Sequence, residues 1–154
     1  VPLGGTEILM AGDAPPDDRG LYILWLELPR PVRIRVGALG VVDMPAGLYA
    51  YVGTAQRRRS ARIARHLKAH KPVRWHIDYV RPYARVAAVS LLDGDRSKEC
   101  VLARRVRDAL GARVAVPRFG ASDCRCTGHL LLIGEAVAFD RGLHEKVHSA
   151  TAVD

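Results

Sequence analysis

A chain of 154 residues is long enough for one domain with its own core, and at 49% apolar residues it is neither disordered nor fibrous. No run approaches the roughly 18 apolar residues that would span a bilayer and nothing near Val1 reads as a leader, so a cytoplasmic protein is expected. The net charge of +8 points to a polyanionic partner, with solubility and membrane adhesion as the other uses of such charge.

Residues 1–19, with Gly4-Gly5, Pro15-Pro16 and Asp17-Asp18, predict an irregular arm that turns at Gly20. Leu21 to Leu28 predicts a buried strand that puts Tyr22, Leu24 and Leu26 on one face. Val32-Arg33-Ile34-Arg35-Val36 alternates as a half-exposed strand. Leu48–Val52 follows Pro45-Ala46-Gly47 as the next strand, with Tyr49, Tyr51 and Gly53 facing one way, where the tyrosines either pack a core or line a cleft.

A helix is predicted from about Arg58 to His70, with Ile63, Ala64 and Leu67 inward and Arg62 and His66 one turn apart at the edge. No Asp or Glu occurs from Met44 to Ile77. Arg57, Arg58, Arg59, Arg65, Lys68 and Lys71 therefore form a candidate phosphate surface, able to hold nucleic acid without reading its bases. Pro72 stops the helix. Arg74–Arg81 and Ala84–Leu92 read as an antiparallel pair of strands joined around Pro82, with Trp75 in the core.

After Asp93-Gly94-Asp95, a helix from about Ser97 to Leu110 is capped by Asp95 or Ser97 and turns Leu102, Ala103, Val106 and Leu110 to one face. Glu99 opens that inward series. A carboxylate there is costly unless it is paired or holds a metal, a capping or dipole role being the alternative. Gly111 closes the helix, Arg113–Val116 is a short strand, residues 117–128 form a loop, Leu130–Ile133 is a strand, and Glu135–His148 is a helix broken near Gly142. Residues 149–154 are expected to fray, which leaves 20–148 as the single folded domain.

The three cysteines cannot all pair within the chain, so reduced thiols are expected. Cys124-x-Cys126-x-x-His129, joined by Cys100, is either a buried reduced cluster or, as the lesser alternative, a zinc site.

The order of motifs resembles the GIY-YIG nuclease superfamily, in particular its small Uri-type branch of DUF123-like proteins. The pieces that carry the resemblance are Gly20-Leu21-Tyr22, Gly47 to Ala55, Arg62-Ile63-Ala64-Arg65-His66, Trp75-His76-Ile77-Asp78-Tyr79, Glu99-Cys100 and Phe119 to Cys126 with His129-Leu130. The resemblance implies an α+β fold, a small antiparallel sheet flanked by helices, with an extra strand between the first two motifs. It further implies a Mg²⁺- or Mn²⁺-dependent endonuclease acting on nucleic acid, DNA first, or an inactive DNA-binding domain of the same fold. Tyr22 would be the base, Tyr51 its support, Arg62 a phosphate ligand and Glu99 the metal ligand. His66 and His76 would be proton shuttles or phosphate contacts, or else structural. The span from Tyr22 to Tyr51 exceeds the usual ten or so residues of the superfamily, and the chain has no Asn to match the one that assists some members.

Overall fold

The computed structural model describes residues 6–10, 18–121 and 127–152. Its strands are β1 (Glu7–Met10), β2 (Gly20–Leu28), β3 (Val32–Arg35), β4 (Val41–Met44), β5 (Gly47–Ala55), β6 (Arg85–Leu92), β7 (Arg113–Val114) and β8 (Leu130–Gly134). Its helices are α1 (Arg59–His66), α2 (His76–Val80), α3 (Glu99–Leu110) and α4 (Arg141–Ala152). Six strands make one sheet in the order β1-β6-β2-β5-β8-β7, antiparallel except for the β1–β6 edge, and β3–β4 is a separate hairpin. The fold is α+β, as the sequence implies.

β2 sits centrally because both of its faces are apolar. Tyr22, Leu24, Leu26 and Leu28 join Tyr49, Tyr51, Leu130 and Leu132 on a front face, against Ile63 of α1, Ile77 and Val80 of α2, and Val36 and Met44 of the hairpin region. Leu21, Ile23 and Trp25 join Ala50, Val52 and Leu131 on the back face, against Leu102, Ala103 and Val106 of α3 and Val147 of α4. The period-two alternation thus divides the core into two layers. Among the described residues no helix is long and apolar enough to cross a membrane.

Several expected elements differ. The arm includes β1, tied to the sheet by the Thr6 hydroxyl, which donates to Val86 O at 2.7 Å. β4 was hidden because its residues are short, mixed and turn-flanked. The Arg74–Arg81 strand is instead α2 followed by a short 3₁₀ turn. The Asp78 carboxylate accepts from the backbone N–H groups of Arg74 and Trp75 at 2.8 and 2.9 Å, fixing a helix start. Ile77 and Val80, both 1% exposed, then bury at helical rather than alternate spacing. The antiparallel partner of β6 is consequently β2. Helix α1 ends at His66, with Ala64 exposed and Arg59 taking an inward place. Gly142 lies within the first turn of α4, and that helix continues to Ala152 through part of the expected frayed tail.

Candidate active site

Tyr22 opens β2 opposite Gly53 of β5. A Cβ on Gly53 would stand 2.5 Å from both Cζ and Oη of Tyr22, so the phenol crosses the sheet only because that position has no side chain. The hydroxyl meets His66 Nε2 at 2.8 Å. His66 is 1% exposed and is ringed by Tyr22, Tyr51 and Trp75 with centroids 5.4, 6.1 and 5.6 Å away. Burial drives its pKa down to about 3; Asp78 opposes that, while Lys71, Arg62 and Arg65 reinforce it. The imidazole is therefore neutral, and its Nδ1 meets no hydrogen-bonding group among the described residues.

Both phenols hold their protons. Burial raises Tyr22, with Arg62 opposing by charge and hydrogen bond and Glu99 adding to the rise. Burial also raises Tyr51 well above its ordinary value, with Tyr22 and Glu99 contributing and Arg62 opposing. That both phenols feel Glu99 and Arg62 means the four side chains share one electrostatic neighbourhood. Tyr49 points away to its own partner, Pro45 O, and burial pushes it up to about 12.

Arg62 donates from Nη1 to Thr54 O at 2.6 Å and lies 4.9 Å over the Trp75 ring. The same ring carries the guanidiniums of Arg65 at 4.6 Å and Arg74 at 4.9 Å. Trp75 is thus a half-exposed seat for three cations, which α2 presents because Asp78 ties down the residues before it. A guanidinium has five donors, so Arg62 keeps most of its capacity.

Glu99 reaches this place from the back layer. Asp95 accepts from Ser97 N at 2.9 Å and caps a 3₁₀ turn over Arg96–Lys98, which delivers Glu99 at the start of α3. Its Oε1 lies 2.7 Å from Nδ1 of His129, a residue 1% exposed. On its other side His129 Nε2 is 3.5 Å from Cys100 Sγ. His129 thus lies between Glu99 and Cys100, one member of the cysteine cluster expected around it.

Tyr22 and Tyr51 stand round His66, whose neighbour Trp75 carries Arg62, and the charge of Glu99 acts on both phenols. His76 stands at the rim: its Nδ1 accepts from Gly120 N at 2.9 Å, and Gly120 packs on the Tyr51 ring, where a Cβ would approach Cε1 to 3.1 Å. Burial lowers the His76 pKa.

The expected phosphate surface is only partly available. Arg57, Arg58 and Lys68 are exposed, whereas Arg59 is 3% exposed and donates from Nη1 to Leu21 O and Leu92 O, both at 2.9 Å. It passes under Gly20, whose Cβ would lie 2.6 Å from that nitrogen. Arg65 pairs with Asp78 at 3.0 Å and Lys71 lies 3.8 Å from the same carboxylate. A carboxylate just past the acid-free stretch neutralises cations that looked free. No sequence signal marked Trp75, Asp78 and Gly53 as parts of the site beyond their places in the motifs.

Among the described residues no three His, Cys, Asp or Glu side chains cluster as a metal site. Cys124 and Cys126 lie outside the described residues. Cys100 is disulfide-bonded, which corrects the expectation of reduced thiols.

The family described as domain of unknown function DUF123 matches residues 21–152. The chain belongs to this family. No curated protein and no solved structure matches it. The DUF123 match begins inside β2 and runs to the end of α4, so it takes in both layers and every residue of the site just described, and omits β1.

Proposed function

We propose that this DUF123 protein is a metal-dependent endonuclease of GIY-YIG type, hydrolysing phosphodiester bonds of nucleic acid, DNA before RNA. The observation carrying the reading is the cluster of two phenols, an arginine and a neutral histidine on the front layer, with a back-layer carboxylate whose charge acts on both phenols. The motif order supports it independently.

A hard cation suits Glu99. Mg²⁺ needs only one or two protein carboxylates, taking water and substrate phosphate for the rest of its shell. With Oε1 against His129, the second oxygen of Glu99 is the one to hold Mg²⁺ or Mn²⁺. When bound, the ion supplies a Lewis acid at the phosphoryl oxygens and relief for the leaving oxygen. Arg62, braced by Thr54 O and Trp75, donates to a nonbridging oxygen. Tyr22 and Tyr51 present O–H donors in the resting state. Tyr22 becomes a base only where the charge of Arg62, already acting against burial, prevails.

The same protonated phenols favour a second reading, a domain of this fold that binds DNA without cutting it. Cytoplasmic location belongs to the first proposal.

The test is a panel of duplex, nicked, flapped and branched substrates, with Mg²⁺ or Mn²⁺, using the natural protein and Glu99→Ala. Cleavage by the first and not the second is expected. Equal cleavage by both removes Glu99 from the mechanism, and binding without any cleavage leaves the second reading.

A further inference from the structure

We infer that the β3–β4 hairpin is a second phosphate-binding arm, and that with the basic end of α1 it makes this protein a reader of duplex rather than single-stranded nucleic acid. The inference deepens the proposed function and rests on its nucleic-acid partner. On β3, Val32 and Ile34 pack against the front core together with Val42 of β4. Strand alternation then turns Arg33 and Arg35 away from the sheet, and both are exposed, as is Arg30 at the foot of the hairpin. Among the described residues one acid pairs with them, Asp43, which lies 3.5 Å from Arg33 with both side chains more than 70% exposed. So open a pair is worth little and leaves the arm cationic.

The arm rides on the same face of the sheet as α1, because Ile63 of α1 and Val32 and Ile34 of the hairpin cover one core. Its charges therefore project on the side where Arg57, Arg58 and Lys68 are exposed. The hairpin leaves the sheet at the Leu28 end of β2, whereas Arg59 of α1 is bonded at the Leu21 end. At about 3.3 Å per residue, the distance along the strand from Tyr22 to Leu28, where the hairpin departs, is about 20 Å. With one phosphate every 3.4 Å or so per strand, a polymer running the length of β2 spans about six nucleotides.

Two features select a duplex. Residues 29–46 and 57–68 contain no Phe, Trp or Tyr, and the Trp75 ring beside α1 is covered by the guanidiniums of Arg62, Arg65 and Arg74, so neither patch offers an open stacking surface for unpaired bases. Both are fixed to one packed core, so a stiff rod bridges them without being ordered first, while a single strand loses entropy to do so.

Binding is measured by fluorescence anisotropy without divalent metal, on a 24-base-pair duplex and a 24-nucleotide single strand, over a range of salt. The proteins are the natural chain, Arg33→Ala/Arg35→Ala and Arg57→Ala/Arg58→Ala. We expect each double substitution to lower duplex affinity on the order of tenfold and to make the slope of log K against log salt shallower by about 2, roughly 0.9 for each phosphate that the variant no longer neutralises. Single-strand affinity should change less than twofold for the hairpin variant. An unchanged duplex slope in that variant, or equal weakening on both polymers, overturns the inference, as does tighter binding to vesicles rich in anionic lipid than to duplex. Thermal melting of the variants guards against a folding effect. Because no cleavage is read, failure of the nuclease proposal in the substrate panel leaves this result standing.

Discussion

His66 is the residue whose surroundings make the sharpest statement. A free histidine titrates at 6.5 and this one at about 3, so through that window the unfolded chain binds more protons than the folded one. Its contribution to stability is whole above about pH 6.5 and is lost as pH falls toward 3. Asp78 acts in the same direction lower down: burial alone would raise its carboxyl, but the Trp75 and Arg74 amides and Arg65 hold it below the usual 3.8. Denaturant melts between pH 7 and 4 should show stability falling with pH, and His66→Gln should flatten that slope. His129 makes a different prediction. It touches Glu99, so in the proposed site it is a positioning residue for the metal ligand, and supports of this kind are worth about 10–100-fold in metal affinity. His129→Ala should weaken Mg²⁺ binding in calorimetry by that factor, and His129→Asn, which keeps a short N–H donor, should recover part of it. Gly53 is equally specific. A methyl there meets the Tyr22 phenol, so Gly53→Ala should cost about 1–3 kcal/mol of stability by overpacking and, through displacement of the phenol, about 100-fold in cleavage rate.

At the scale of elements, the long central strands and α1 were legible, and β1, β4 and α2 were not. β2 and β5 announce themselves because alternate residues go to different layers, and Tyr22 with Leu24 and Leu26 fell on the face expected of them. The segment from Trp75 to Tyr79 has the same alternation by accident. What decides for a helix is Asp78 taking two backbone N–H groups ahead of it, a contact between a side chain and residues whose donors a strand would have used elsewhere. α1 also ends short of its helix-permissive sequence. Arg81 explains where: Nε donates to His66 O at 2.8 Å, Nη2 to Leu67 O at 2.9 Å and Nη1 to Ala84 O. One guanidinium from the turn after α2 thus closes α1 and fixes the backbone of His66. Arg81→Ala should cost about 1.5–3 kcal/mol, as for removal of a hydrogen bond to a charged group, with faster hydrogen exchange in the last turn of α1. Arg81→Lys should fail to restore it, because one ammonium cannot reproduce the guanidinium fork.

The whole molecule is two layers on one sheet, and the charge of Glu99, at the start of α3 on the back layer, acts on the phenols of the front. The order of motifs named the residues of the proposed site; it did not carry that His129 lies between Glu99 and Cys100, nor that Asp78 takes up cations of the basic stretch, since both depend on approaches between segments remote in sequence. The division into layers also separates stability from binding. On the back face Trp25 Nε1 donates to Ser90 Oγ at 2.8 Å, Ser90 meets His144 Nδ1 at 2.7 Å, and His144 Nε2 reaches Met10 O at 3.2 Å. Met10 O only accepts, so a neutral His144 carries its proton on Nε2, and the Ser90 hydroxyl must donate to Nδ1. Four groups are satisfied in one chain that ties α4 and β1 to the sheet. Ser90→Ala breaks it in the middle and leaves a buried indole N–H and a buried imidazole nitrogen without partners, at about 1–3 kcal/mol for each. The destabilisation should show as faster hydrogen exchange in β1 and α4. Affinity for duplex should stay unchanged, because the exposed cations of α1 and the hairpin belong to the other layer; a matching fall in affinity would mean that the sheet does not insulate its two faces.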